Sequence, residues 1–223
     1  MNIGFLLFPD VLQMDLTGPY GVLAAGPGAR VCLVWKDARP VRSSDGLVLT
    51  PGETFAGCPP LDVICVPGGG GILPLLSDGE TLAFLRARAE SARFVCSVCT
   101  GALVLGAAGL LKGRRATTHW QSHELLRPFG AIPERARVVR DGNLLTAAGV
   151  SAGIDMALTL AGLLWGDDIA RRIQLNMEYA PEPPYAAGTP ESAPPQVVQT
   201  LTAQNADRLA RRREAVLAAA RLL

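Results

Sequence analysis

Four short segments of the chain are dominated by apolar residues without alternation: "IGFLLF" at 3–8, "VCLVW" at 31–35, "DVICVPGG" at 62–69 and "RFVCSVC" at 93–99. A strand with one face in water alternates apolar and polar residues, whereas a strand covered on both faces does not. Helical patterning separates the runs, over 15–25, 78–91, 100–108, 119–126, 151–164 and 167–178, with Ser77 or Asp78 placed to cap the second of these. Strand, helix, strand in that order makes parallel pairing the economical arrangement, so the sequence predicts an α/β fold: a doubly wound, mostly parallel sheet with helices on both faces. Segment 136–148 departs from this rhythm, and its Asp141-Gly142 pair between β-type flanks predicts a hairpin. The glycines and alanines of "GVSAGIDMALTLAGLLW" then suit a helix packed closely on the sheet.

A chain of 223 residues is long enough for one large domain with a full core. The catalytic unit is expected over 1–180, because proline density in "APEPPYAAGTPESAPP" extends the backbone and disfavours both helix and central strand. Residues 181–195 therefore read as a tether. Beyond it, 196–223 regains an amphipathic pattern through Val197, Val198, Leu201, Leu209, Val216 and Leu223, which predicts a C-terminal helix that docks, on this chain or on a second subunit. Its "RLARRR" cluster reads as a solvated helix face.

Charge and cysteine usage narrow the partners. Lys and Arg number 21 against 20 Asp and Glu, so no global field recruits nucleic acid or an anionic membrane surface. The partner is expected to be small or uncharged. No apolar run has the roughly 18 to 20 residues of a membrane span, and the N-terminus lacks the basic start and cleavage site of a secretory signal. Five cysteines, an odd number set mostly in β-type runs, fit a reducing cytoplasm.

The chemistry concentrates where the fourth run ends. Ser97-Val98-Cys99-Thr100-Gly101 places small residues around Cys99 at a strand-to-helix turn, the logic of a nucleophile elbow, in which a sharp turn makes the central side chain stand proud of the sheet edge. A helix start there also favours the thiolate over the thiol. The competing reading of Cys99 is a packing residue. Cys96, three residues earlier inside the strand, is expected to be buried and inert, which weakens a Cys-x-x-Cys redox pair. The two histidines, His119 and His123, stand four apart, but no further ligand pattern accompanies them, so no metal is expected; a Cys99–His119 pair stays open.

In an open α/β sheet, ligands collect beyond the carboxyl ends of the strands, where the first connection, "FPDVLQMDLTGPYGVL", emerges. Asp15 lies there between Met14 and Leu16, either as an acid–base group or as a cap of the first helix. "VPGGGG" closes the third run, and the N–H groups of Gly68 and Gly69 are candidates for an oxyanion hole. The loop lacks the spacing of a phosphate cradle, so no nucleotide or other cofactor is expected.

Together, "MDLTGP" at 14–19, "PGGGG" at 67–71, "SVCTGALVLGAAGLLKGRRATTHW" at 97–120 and "RVVRDGNLLTAAGVSAGIDMALTL" at 137–160 resemble the isocyanide hydratases. These belong to the cysteine-elbow, class I glutamine amidotransferase-like superfamily, which also holds intracellular-protease-like, deglycase and glyoxalase-like proteins and has a flavodoxin-like fold. The resemblance implies Cys99 as nucleophile, Asp15 as the acidic residue beside it and Thr100 as the threonine that follows. It also implies an uncharged isocyanide and water as partners, a homodimer, and Trp120 as a pocket residue, although an aromatic at that spacing also suits the core. The mechanism implied is a covalent thioimidate on Cys99, hydrolysed with Asp15 as general acid and base. The same superfamily leaves other expectations open: a glyoxalase- or deglycase-like enzyme, a cysteine-based stress sensor, or a ligand-sensing module of the kind found in transcription regulators.

Overall fold

The computed structural model describes all residues, 1–223. Strands β1 (Asn2–Leu6), β2 (Arg30–Trp35), β3 (Glu53–Thr54), β4 (Val63–Val66), β5 (Phe94–Val98), β6 (Val138–Asp141) and β7 (Leu144–Ala147) form one seven-stranded sheet. Its order is β6-β7-β5-β4-β1-β2-β3, and every pairing is parallel except that of β6 with β7. The expected mostly parallel α/β architecture is present. The hairpin is present too: β6 and β7 are joined by the two-residue loop Gly142–Asn143, and β7 then pairs in parallel with β5.

Helices α1 (Gln13–Ala24), α2 (Gly79–Ser91), α3 (Gly101–Ala107), α4 (Ala152–Trp165) and α5 (Asp167–Asn176) cover the sheet, with α1, α4 and α5 packed together and α2 against α3. Burial explains the apolar runs: Ile3, Phe5 and Leu6 of β1 and all four residues of β4 are without solvent exposure. Asp78 caps α2, its carboxylate accepting from the Thr81 N–H and, at 2.8 Å, from the Thr81 hydroxyl. The third apolar run forms strand only to Val66, because Pro67 has no N–H to continue a ladder.

Three features differ from the expected elements. The segment expected as helix over 119–126 is a 3₁₀ run, Trp120–Phe129, that closes on Gly130 in the left-handed region. The C-terminal helix is two helices, α6 (Pro195–Gln204) and α7 (Ala206–Ala220), which meet at Asn205. Asn205 donates from Nδ2 to Gln121 Oε1 at 3.2 Å, so the break anchors the tail to the 3₁₀ run. Edge strand β3 and two ribbons, Val41–Arg42 with Val48–Leu49 and Arg115–Ala116 with Ile132–Pro133, span two residues each, too few to show a periodic pattern. Between α5 and α6 the proline-rich residues form neither helix nor strand and are largely exposed, and α7 then packs on the 3₁₀ run and α3 of its own chain.

The sheet order sets the position of the site. From β1 the chain winds first to β2 and then returns to β4 on the other side, so the connections after β1 and β4 part company and leave a crevice at their carboxyl ends. The turn after β5 opens beside it.

Candidate active site

Cys99 follows the last residue of β5 and precedes α3 with φ = +55°, in the left-handed region that a side chain enters at a cost of about 1–3 kcal/mol. Its neighbours hold it there. The Cys99 N–H donates to Ala147 O of β7 at 3.1 Å, and its carbonyl accepts from the Thr118 hydroxyl at 2.6 Å. An added Cβ at Gly101 would lie 2.0 Å from Val66 O and 2.8 Å from Pro67 O, so the helix can start this close to β4 only on a glycine. Gly101→Ala is therefore expected to lower Tm by roughly 5 °C or more, since backbone rather than a movable side chain resists the methyl. Thermal unfolding followed by circular dichroism checks this.

Asp15 is fully buried in the first turn of α1 and does not cap it: Leu12 occupies the cap position. Instead Oδ2 accepts from the Gly68 N–H at 2.9 Å, across the crevice, while buried Oδ1 meets no protein N–H or O–H. The carboxyl group couples to the Cys99 thiol. Thr100, 3% exposed, accepts from the Gly69 N–H through Oγ1 at 3.2 Å. A Cβ at Gly68 would lie 2.6 Å from Thr100 Oγ1 and 2.8 Å from Asp15 Oδ2, so the loop after β4 clasps both residues only because it lacks a side chain there. The amides of Gly68 and Gly69 thus hold Asp15 and Thr100 in place.

Burial lifts the Asp15 carboxyl to about 7, against the opposing pull of the Gly68 N–H. The expectation that Cys99 rests as a thiolate is corrected. Cys99 is 5% exposed, and burial first, then the charge of Asp15, push its thiol well above the usual range; the Thr100 N–H and the Arg212 guanidinium pull the other way without prevailing. Seven-residue α3 offers too little field at its start to offset that desolvation. Above about pH 7 the resting pair is a thiol beside a carboxylate, and below it both groups hold their protons.

The remaining candidates lie elsewhere. Cys96 is fully buried opposite Cys65 of β4, its thiol raised by burial. Trp120 is 37% exposed and lines a surface cavity of about 270 Å3 with His123, Leu125, Leu209 and Arg213, a cavity that none of Cys99, Asp15 and Thr100 lines. His119 accepts from the Gln121 N–H through Nδ1 at 3.3 Å; burial and the nearby Arg212 and Arg208 lower it to about 4, so it is neutral at neutral pH. Thr118 and Arg212 bear on Cys99 although the sequence reading singled out neither. Thr118 stood in the "ATTHW" segment without a role. Arg212 had a legible signal: it sits in the buried stripe of α7 between Leu209 and Val216, where an apolar residue belongs.

The isonitrile hydratase of Pseudomonas putida is 59% identical over 214 residues, which are 96% of this chain and 94% of the hydratase. The transcriptional regulator GbdR of Pseudomonas aeruginosa is 33% identical over 182 residues, 77% of this chain but 49% of the regulator. The crystal structure of a THiJ/PfpI family protein from Pseudomonas syringae superposes with a TM-score of 0.93 at 42% identity, over 98% of this chain and 90% of that one. The pattern of the DJ-1/PfpI family matches residues 1–162, the part that carries the elbow, Asp15 and the glycine loop. The chain belongs to the DJ-1/PfpI family.

Proposed function

We propose that this protein is a hydro-lyase that adds water to organic isocyanides, giving N-substituted formamides, with Cys99 as nucleophile and Asp15 as general acid and base. Isocyanide and isonitrile name the same functional group, so the likeness to the Pseudomonas putida hydratase over nearly the whole of both chains supports the substrate class. The observation that carries the reading is the buried Cys99–Asp15 pair, a soft nucleophile beside a carboxyl poised near 7.

An isocyanide carbon accepts a nucleophile and then needs a proton on that same carbon. As the Cys99 sulfur bonds to the terminal carbon, its proton passes to Asp15 and from there to the carbon, leaving a neutral thioimidate, Cys99–S–CH=N–R. No external acid is consumed. Asp15, again a carboxylate, takes a proton from water while the oxygen adds to the thioimidate carbon, and returns that proton to nitrogen. Collapse of the tetrahedral adduct breaks the C–S bond, Asp15 relays the hydroxyl proton to sulfur, and the formamide leaves. Thr100 serves twice, through its N–H toward the sulfur and through Oγ1 against the glycine loop. Burial strengthens each of these interactions and excludes competing water.

Formamide formation measured across small and bulky alkyl isocyanides tests the proposal. Turnover of at least one of them is the expected result, and a folded protein that hydrates none would overturn it.

A further inference from the structure

We propose that Arg212, carried by α7 in the C-terminal tail, is a positioning residue whose buried guanidinium draws Cys99 toward its reactive thiolate, making the tail part of the active site. The tail's arginines divide sharply. Arg208, Arg211 and Arg213 are exposed, whereas Arg212 is 5% exposed and fills the stripe formed with Leu209, Val216 and Ala219.

Nothing in the structure neutralises that charge. Nη1 donates to Ser122 Oγ of the 3₁₀ run at 2.8 Å, Nε has no partner, and no carboxylate pairs with the group. A buried cation without an anion is costly to keep, and a hydrophobic residue would complete the stripe at lower cost. Its helix packs on the 3₁₀ run and on α3, and the titratable groups its charge reaches are Arg208 of its own helix, His119 at the start of the 3₁₀ run and Cys99 at the start of α3. Of these, Cys99 is the group that becomes an anion during the proposed reaction. Burial and Asp15 oppose ionisation of the sulfur, and Arg212 is the side-chain cation that favours it. The charge therefore acts when the sulfur–hydrogen bond breaks, with the Thr100 N–H as its backbone counterpart.

The role in hydration rests on the function proposed above, but the effect on sulfur is measurable without any isocyanide. In the full chain, alkylation of Cys99 by iodoacetamide is followed against pH by peptide mass spectrometry for the wild type, Arg212→Met, Arg212→Gln and Arg212→Lys. The neutral variants are expected to alkylate about tenfold more slowly at a given pH, with the profile displaced upward by about one pH unit, and Lys to restore most of the rate. Arg212→Gln keeps a donor for Ser122 and serves where Arg212→Met unfolds. A folded neutral variant with the wild-type profile overturns the proposal. So does a Lys variant as slow as the neutral ones, which would mark a packing role. Loss of the alkylation effect with hydration intact defeats this inference alone, whereas an intact effect in a protein that hydrates nothing defeats the proposed function alone.

Discussion

Cys99→Ala is expected to abolish formamide formation, with a loss of at least about 10⁴-fold, while leaving the fold intact. The size follows from what the sulfur does. It is the atom that bonds to carbon, and no other group at the site substitutes: Cys96 and Cys65 are sealed in adjacent strands, and Thr100 Oγ1 is held by the Gly69 N–H. The fold should survive because alanine keeps the same backbone hydrogen bonds, its N–H donating to Ala147 O and its carbonyl accepting from the Thr118 hydroxyl, and bears the same strain at φ = +55° that cysteine does. Formamide released under excess isocyanide, with circular dichroism of the variant alongside, reads both halves. A folded variant with wild-type turnover would remove Cys99 from the chemistry.

Asp15→Asn is expected to slow turnover by about 10² to 10⁴-fold, the usual range for losing a positioned acid–base group. The direction of the pH dependence follows from the protonation of Asp15. Above about 7 Asp15 is a carboxylate able to take the thiol proton, and below it Asp15 is already protonated, so kcat/KM of the wild type should rise through about pH 7 to a plateau. The Asn variant should lack that limb. Stability moves the opposite way. A carboxyl raised from its unfolded value of 3.8 to about 7 binds protons more tightly in the folded state, so folding loses stability as pH climbs between those values. At pH 8 the ionised form costs on the order of a few kcal/mol, which Asn avoids while still accepting from Gly68. The variant should therefore melt higher than the wild type at pH 8 while turning over far more slowly. A slow variant that also melted lower would point to damage of the crevice.

The layered fold was legible because its central strands are buried on both faces, which leaves an apolar signature without alternation, clearest in β1 and β4. What pattern could not show was too short or too irregular to have one: two-residue β3, the ribbons, the 3₁₀ run and the break at Asn205. At the site, small residues around Cys99 announced the turn, and Asp15 stood out as a carboxylate between apolar neighbours. Its partner on the glycine loop could not be read, because a hydrogen bond spanning 53 positions leaves no local trace. The ionisation of Cys99 was misjudged for a related reason. A helix start is visible in sequence, but the burial that outweighs it is a property of the assembled core. Arg212 marks the boundary between the two cases, since its place in the α7 stripe was readable while the sulfur it approaches was not.

The central claim is that carbon bonds to one sulfur and gains the proton that sulfur gave up. Acid quenching during turnover, followed by mass spectrometry of the peptide that bears Cys99, tests this most directly. The expected result is a mass gain equal to the whole isocyanide, confined to Cys99, because thiol and substrate combine without losing an atom. Full formamide production with Cys99 unmodified at every quench time, or with the adduct on another residue, would contradict it.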